Sequence, residues 1–286
     1  MSDNQLPVKW QARIKAMASS AITQNEAQVD YTLHDVKIGC LLPETGSAKR
    51  AIPNMMLRCA LFGVVGKGDR KYEDNVLKGS INGLTIRFTG KQLDQSDLDV
   101  YLECVKRCSK HPVGKPVRFY AYDFLKQINR SSGKSQYVWL SECLRRLTAC
   151  LVEINDGRVF YSGHLLNEIN RDEATKEFII SLNPRMVDLF SADLWTGISI
   201  DERNRLRGKQ LSQWLHGFYS THFNPYPYKV ETIHKLCGSA SILWKFRQTL
   251  KKSLSDLSLE TGWDCSIDEF DFVTIKKQVK TIESNA

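Results

Sequence analysis

The chain has 286 residues, 42% of them hydrophobic and 25% charged, a composition that excludes a disordered or fibrous protein. With 40 Lys and Arg against 32 Asp and Glu the formal charge is +8, a balance that favours an anionic partner, nucleic acid being the commonest. The 8 cysteines form no CxxC pair and lie among apolar neighbours, as in Ala149-Cys150-Leu151, which argues against a disulfide scaffold and for reduced, buried thiols in a cytoplasmic protein.

Leu6, Trp10, Ile14, Met17 and Ala21 recur at helical spacing and predict a short basic helix, packed on the first domain in the first reading, with contact to a membrane or a DNA backbone as the alternatives. Lys9, Arg13 and Lys15 interrupt any secretory apolar run. No stretch approaches the roughly 18–20 apolar residues that cross a bilayer, so no membrane is expected. The rest of residues 1–50 is polar, an extension partly disordered or helical. Pro53-Asn54 then opens an apolar helix over 55–62, with Asn54 as its N-cap. A loop rich in Gly, Lys and Asp leads to a strand over 84–90. A helix over 95–109, a strand over 116–120, a short helix over 122–129, a turn and a longer helix over 135–149 follow. The hydrophobic period then changes from 3.6 to 2, and Asn155-Asp-Gly157 joins two strands in a hairpin. A further strand covers 176–182.

The second half repeats that order. A helix is expected over 201–219, an extended stop at Pro225-Tyr-Pro-Tyr228, a short helix over 231–237 and a tight turn at Gly238. A longer helix over 239–257 has Ser239 or Ser241 as its cap, and strands over 263–267 and 272–275 form a second hairpin. Helix, short helix, turn, longer helix and hairpin is the order of a winged helix-turn-helix. The expected fold is therefore α+β, with two tandem winged-helix domains at 51–190 and 191–286 behind the extension.

The helix over 239–257 carries the most information. Leu243, Phe246, Leu250, Leu254 and Leu257 share one face, and Ser241, Lys245, Gln248 and Lys252 lie opposite, flanked by Arg247 and Lys251. No acid falls between Ser239 and Ser255. Lys pairs with guanine and Gln with adenine in the major groove, and cationic flanks meet phosphates. Ser239, Ser241, Lys245, Arg247, Gln248, Lys251 and Lys252 are therefore the expected DNA contacts, joined by Lys276 and Lys277 at the end of the second hairpin. A solvated surface helix is the competing reading, although its charges are usually mixed in sign. The matching helix of the first domain shows Ser135, Trp139, Glu142 and Arg146 outward. An exposed Trp beside an acid suits a protein interface, so this domain is assigned dimerisation and backbone contact through Lys134, Arg145 and Arg146. The aromatics of 223–228 are expected to pack on the helix above them, with stacking on unpaired bases as the alternative.

Catalytic chemistry is not visible. Gly63-Val-Val-Gly66-Lys67-Gly68 lacks the first Gly of a P-loop, and Gly68 stands where the metal-binding hydroxyl belongs. The histidines are scattered, no His-hydrophobic-His pair is present, and Cys104, Cys108 and His111 lack a fourth ligand. Acids are not grouped for two metals. No cofactor, no metal and no enzymatic activity are expected.

Several runs, in one order from about residue 50 to 260, resemble the TrfA-type plasmid replication initiators. They are Ile52-Pro-Asn-Met-Met-Leu-Arg-Cys-Ala-Leu-Phe62, Leu84-Thr-Ile-Arg-Phe-Thr-Gly90, Lys110-His-Pro-Val-Gly-Lys-Pro116 and Glu142-Cys-Leu-Arg-Arg-Leu147. The most specific is Asn224-Pro-Tyr-Pro-Tyr-Lys-Val-Glu-Thr232 followed by Leu236-Cys-Gly-Ser239. The resemblance implies two winged-helix domains that bind repeated sequences (iterons) in double-stranded origin DNA and help open adjacent AT-rich DNA. It also implies control by dimerisation and recruitment of the host initiator DnaA, the replicative helicase and the sliding clamp. Lys245 and Arg247 match basic positions of the family's recognition helix, and Phe246 an aromatic one. Leu61-Phe62 corresponds either to a clamp-binding pair or to a buried helix end. The first fifty residues match nothing placed, and the helix start near Ile242-Leu243 is shorter and more apolar than the family's. A winged-helix repressor that regulates its own promoter and a metal-dependent nickase are the competing functions.

Overall fold

The structure is a computed structural model that describes residues 41–277, apart from 67, 69, 82, 173, 176 and 191–193. The helix expected near residues 6–21 lies outside the described residues. Strand β1 (Lys49–Pro53) enters a single helical turn, α1 (Asn54–Leu57), shorter than the helix expected over 55–62. The chain leaves the helix because the Ala60 amide donates to Gly79 O at 2.8 Å and Phe62 enters β2 (Phe62–Gly63). Asn54 is the first helical residue and not the cap; its side-chain oxygen accepts from the Thr196 hydroxyl at 2.5 Å. The stretch expected as a loop contains β3 (Tyr72–Leu77), whose alternation is broken by a bulge between Glu73 and Val76, with Asn75 at φ 51°.

β4 (Thr85–Lys91) alternates outward and inward residues as its pattern requires, and β5 (Leu93–Asp94) pairs in parallel with β2. Helix α2 (Gln95–Cys108) opens on a reciprocal cap: the Asp94 carboxylate accepts from the Ser96 and Asp97 amides, and Asp97 accepts from the Asp94 amide. There follow β6 (Val117–Tyr120), α3 (Ala121–Gln127), α4 (Lys134–Ala149), and the hairpin of β7 (Leu151–Asn155) and β8 (Phe160–Gly163). β9 (Glu168–Arg171), β10 (Glu177–Ser181), a 3-10 turn at Pro184–Phe190 and β11 (Trp195–Ser199) complete this half. Sheets form in the orders β3-β4-β7-β8, β6-β10-β9 and β1-β11.

The helix expected over 201–219 is two, α5 (Ile200–Arg205) and α6 (Gln210–Ser220). Gly208 sits between them at φ 80°, a left-handed conformation that no helix carries through. Then come β12 (Tyr228–Lys229), α7 (Val230–Cys237), α8 (Leu243–Thr261), β13 (Asp264–Ile267) and β14 (Phe272–Lys276), the strands forming a sheet in the order β12-β14-β13. α8 begins and ends later than the expected 239–257. Neither Ser239 nor Ser241 caps it; His234 Nε2 donates to the Ser241 carbonyl at 2.7 Å and holds the turn outside the helix. Gly262, at φ 72°, closes its C-terminus.

Two hydrophobic cores result. The first gathers buried side chains from Leu42 to Ile198, the second from Leu206 to Ile275. β11 pairs with β1 from Trp195 to Ser199, so the division between cores falls after β11 and not near residue 190. A polar clamp joins them. Arg203, only 1% exposed, donates to Asp99 at 2.5 Å, to Gln95 O and Oε1 at 2.8 and 3.0 Å, and to Gln213 O at 3.3 Å. Trp214 donates to Cys59 O at 3.1 Å, and Arg207 to the Ile128 and Asn129 carbonyls. The halves approach so closely that a Cβ at Gly79 would collide with the Lys235 carbonyl. Among the described residues no helix is long and apolar enough to cross a membrane, and no three His, Cys, Asp or Glu side chains gather as a metal set.

Candidate nucleic-acid interface

α8 is seated by Phe246, Leu250, Leu254 and Leu257, all buried in the second core against α6 and α7. That seating turns Lys245, Gln248, Thr249, Lys251 and Lys252 to solvent. No acid stands in the first turn, and among the described residues no side-chain partner is found for Lys245, Gln248, Lys251 or Lys252. Trp244 joins the same surface, 58% exposed. The apolar stripe, read strictly at 3.6 residues per turn, leaves position 244 outside it, so the signal for this residue was present.

Lys245, Thr249, Lys252 and Asp256 form one wall of a cleft of about 1130 Å³. The opposite wall is the loop of the first half that includes Gly66, Arg70 and Lys71, and the Ser239–Ser241 turn lies at its end. Two of the cleft's cations are already matched: Arg70 pairs with Asp94 at 2.5 Å and Asp97 at 2.6 Å, and Lys209 with Asp256 at 2.7 Å. Lys71, Lys245 and Lys252 have no acidic partner among the described residues. Ser239 and Ser241, expected on the helix, stand in the preceding turn with their hydroxyls 3.0 Å apart.

Other expected contacts are placed differently. Arg247 turns toward the hairpin and grips both carboxylate oxygens of Asp271, with Nε to Oδ1 at 2.9 Å, so it is not a free cation. Lys277 folds inward: its ammonium donates to His222 O at 2.5 Å and lies 4.9 Å from the centre of the Trp263 ring. Burial pulls its pKa down to about 8. Lys276 is exposed, across the ladder from Asp264. The tip of this hairpin, Asp268-Glu269-Phe270-Asp271, is acidic and would repel phosphate.

In the first half, Lys134 and Arg145 are exposed on α4. Arg146 is not available to phosphate, because it pairs with the fully buried Asp97 at 2.8 Å and its own side chain is 12% exposed. Burial opposes its charge, but Asp97 outweighs that and raises its pKa. Trp139, expected in the open, is half-buried beneath the Arg130 guanidinium, 3.5 Å from the ring centre. Tyr137 and Val138 take the exposed positions beside it. Leu61 and Phe62 are buried, which removes them as a docking pair. Phe223 and Tyr226, expected to pack, are 85% and 80% exposed; the flanking prolines hold the segment extended, and only Tyr228 reaches the ring of Phe218.

A model of the TrfA protein family matches residues 13–274. The chain belongs to the TrfA family. The match begins within the first fifty residues, where the sequence alone showed no family resemblance. The plasmid replication initiator protein TrfA of Escherichia coli is 27% identical over 220 residues, 73% of this chain and 56% of that protein. The chain thus spans little more than half the length of that relative. Domains 2 and 3 of RctB share the mixed helix-and-strand fold at a TM-score of 0.53 and 12% identity, over 78% of this chain and 98% of that one. The Pi initiator in complex with iteron DNA aligns over 58% of this chain and 83% of its own at 12% identity, with a TM-score of 0.44, too low to bear on the fold. TrfA-family membership gives the exposed face of α8 its context without assigning any of its residues.

Proposed function

We propose that this TrfA-family chain is a plasmid replication initiator without catalytic activity that binds iteron repeats in double-stranded origin DNA. The observation that carries the reading is the unpartnered Lys-Gln-Lys face of α8, set on a short helix and turn and backed by an antiparallel hairpin. That arrangement, and its counterpart of α3, α4, β7 and β8, is read as two tandem winged-helix domains, the first ending with β11 and the second opening with α5. Lys245, Gln248 and Lys252 read base edges in the major groove, and Trp244 meets thymine methyls. Ser239, Ser241, Lys251 and Lys276 hold phosphates in the second domain, Lys134 and Arg145 in the first. The α4 face with Tyr137 and Val138 serves dimerisation. Local opening of the origin, recruitment of DnaA, helicase and clamp, and a cytoplasmic location follow from the family reading.

Lys245→Ala, Gln248→Ala and Lys252→Ala should each cost about 1–3 kcal/mol in binding to the repeats and much less on unrelated duplex. Footprinting on the plasmid origin, with permanganate probing and a nicking control, tests the whole reading. Protected direct repeats with reactive thymines nearby and no nicks support it. Protection of one promoter palindrome without opening replaces it with a repressor, and metal-dependent nicks with an enzyme.

A further inference from the structure

We infer that the cleft between the two halves is a track for one sugar-phosphate strand of the bound duplex, with Lys71 of the first half as its outer cation. This rests on the DNA-binding reading of α8 and goes beyond it, because the sequence placed the first half's backbone contacts on α4 instead. The geometry is that of a slot beside a reading helix. Lys245 and Lys252 belong both to the base-reading face and to one wall of the cleft, so a duplex seated on α8 lays a strand along that wall.

The opposite wall suits phosphate in two ways. It carries Lys71, exposed and unmatched by any acid among the described residues. Beside it Gly68 presents no side chain and has open space where a Cβ would stand, as does Gly208 on the second-half side, which leaves room for a backbone to enter. The Ser239–Ser241 turn supplies a hydroxyl donor along the way, one of its two hydroxyls being engaged by the other at 3.0 Å and that of Thr249 by the Lys245 carbonyl. Among the described residues the lining holds one carboxylate, Asp256, and it is neutralised by Lys209 at 2.7 Å. Phosphate contacts of this kind fix the position of a protein on DNA without reading sequence.

The test is the salt dependence of binding by the full chain to a repeat-bearing duplex and to an unrelated one. Each phosphate neutralised adds about 0.9 to the slope of log K against log salt, so losing one contact changes the ratio of affinities at 50 and 200 mM by roughly 3.5-fold. Lys71→Ala should lower the slope by about that amount on both duplexes and leave their affinity ratio unchanged, and Lys71→Arg should restore it. Asp256→Asn, which releases Lys209, should raise the slope. Lys110→Ala, an exposed charge outside the cleft, should leave it unchanged. An unaltered slope in Lys71→Ala with binding intact overturns the track alone, as does an equal drop in Lys110→Ala, which would mark an effect of net charge. Failure of the unmodified chain to bind either duplex removes the α8 reading itself.

Discussion

Replacing Arg203 with alanine tests how the two cores are held together. Its guanidinium makes four hydrogen bonds, to Asp99, twice to Gln95 and once to Gln213, at 2.5 to 3.3 Å. Alanine leaves the Asp99 carboxylate, 13% exposed, without its cation, and leaves two acceptors of the buried Gln95 without donors. Breaking one side of a buried pair costs roughly 3–5 kcal/mol, because the abandoned charge keeps its desolvation penalty. At about 2–4 °C per kcal/mol for a chain of this size, the melting temperature should fall by roughly 6–20 °C. Because Arg203 reaches from the second half into α2 of the first, scanning calorimetry should also show the single transition broaden or divide as the cores uncouple. Removing both charges in Arg203→Met with Asp99→Leu should recover the part of the loss that comes from the stranded carboxylate, while the Gln95 acceptors stay without donors. A loss below about 1 kcal/mol with one sharp transition retained would refute the clamp.

Two further outcomes follow from the corrected site. Arg247→Ala should leave the salt slope of DNA binding unchanged and cost at most about 1 kcal/mol of stability, because its partner Asp271 is a partly exposed surface acid; a slope lower by about 0.9 would show that Arg247 holds phosphate after all. Alkaline pH should unfold the protein early. Burial raises Cys59, Cys104, Cys108, Cys143, Cys150, Cys237 and Cys265, most of them to about 12 or beyond, and raises Tyr101, Tyr161 and Tyr219. These acids ionise in the unfolded chain first, near pH 8.5 for thiols and 10 for phenols, so the stability they contribute is complete below about 8.5 and is lost as pH rises. Lys277 has the opposite sign: with a folded pKa of about 8 it binds fewer protons folded than unfolded up to about pH 10.4, and stability from this group rises across that window. Denaturant midpoints between pH 7 and 10 should therefore fall, and fall more steeply in Lys277→Met; a flat profile would contradict the burial of these groups.

Long periodic segments were legible in the sequence. The stripe from Leu243 to Leu257 and the pattern of α4 placed their helices because burial enforces the 3.6-residue period. What stayed hidden has specific causes. β3 was masked by its bulge at Asn75, which shifts the alternation by one residue. β1 and β11 pair across most of the chain, and nothing local announces a partner that far away. The break at Gly208 was hidden because the apolar stripe, Leu211, Trp214, Leu215 and Phe218, lies wholly after it, and the polar stretch before it holds one apolar residue, Leu206, too few to show a change of phase. On the candidate interface, Lys245, Gln248 and Lys252 were readable from their face alone. Arg146 and Arg247 were not, because whether a cation is free depends on acids distant in sequence, Asp97 and Asp271.

That last difference divides the basic residues of this chain by chemistry. Arg50, Arg70, Arg107, Arg146, Arg203 and Arg247 are each committed to a carboxylate, most of them buried or half-buried. Lys71, Lys134, Lys245, Lys251, Lys252 and Lys276 stand exposed. A planar guanidinium meets a carboxylate with two parallel donors and tolerates dehydration, whereas an ammonium is strongly hydrated and stays in water unless a counter-charge draws it in. Exceptions run both ways: Arg87, Arg118, Arg145 and Arg158 are exposed, whereas Lys78, Lys209 and Lys235 pair with Glu73, Asp256 and Glu231 and Lys277 folds inward. The excess positive charge thus reaches the surface mainly as ammonium groups, which meet phosphates as point charges without a fixed fork. Binding built this way is governed by counterion release and weakens steeply with salt, and discrimination between sequences then has to come from the few side chains of α8 that touch bases.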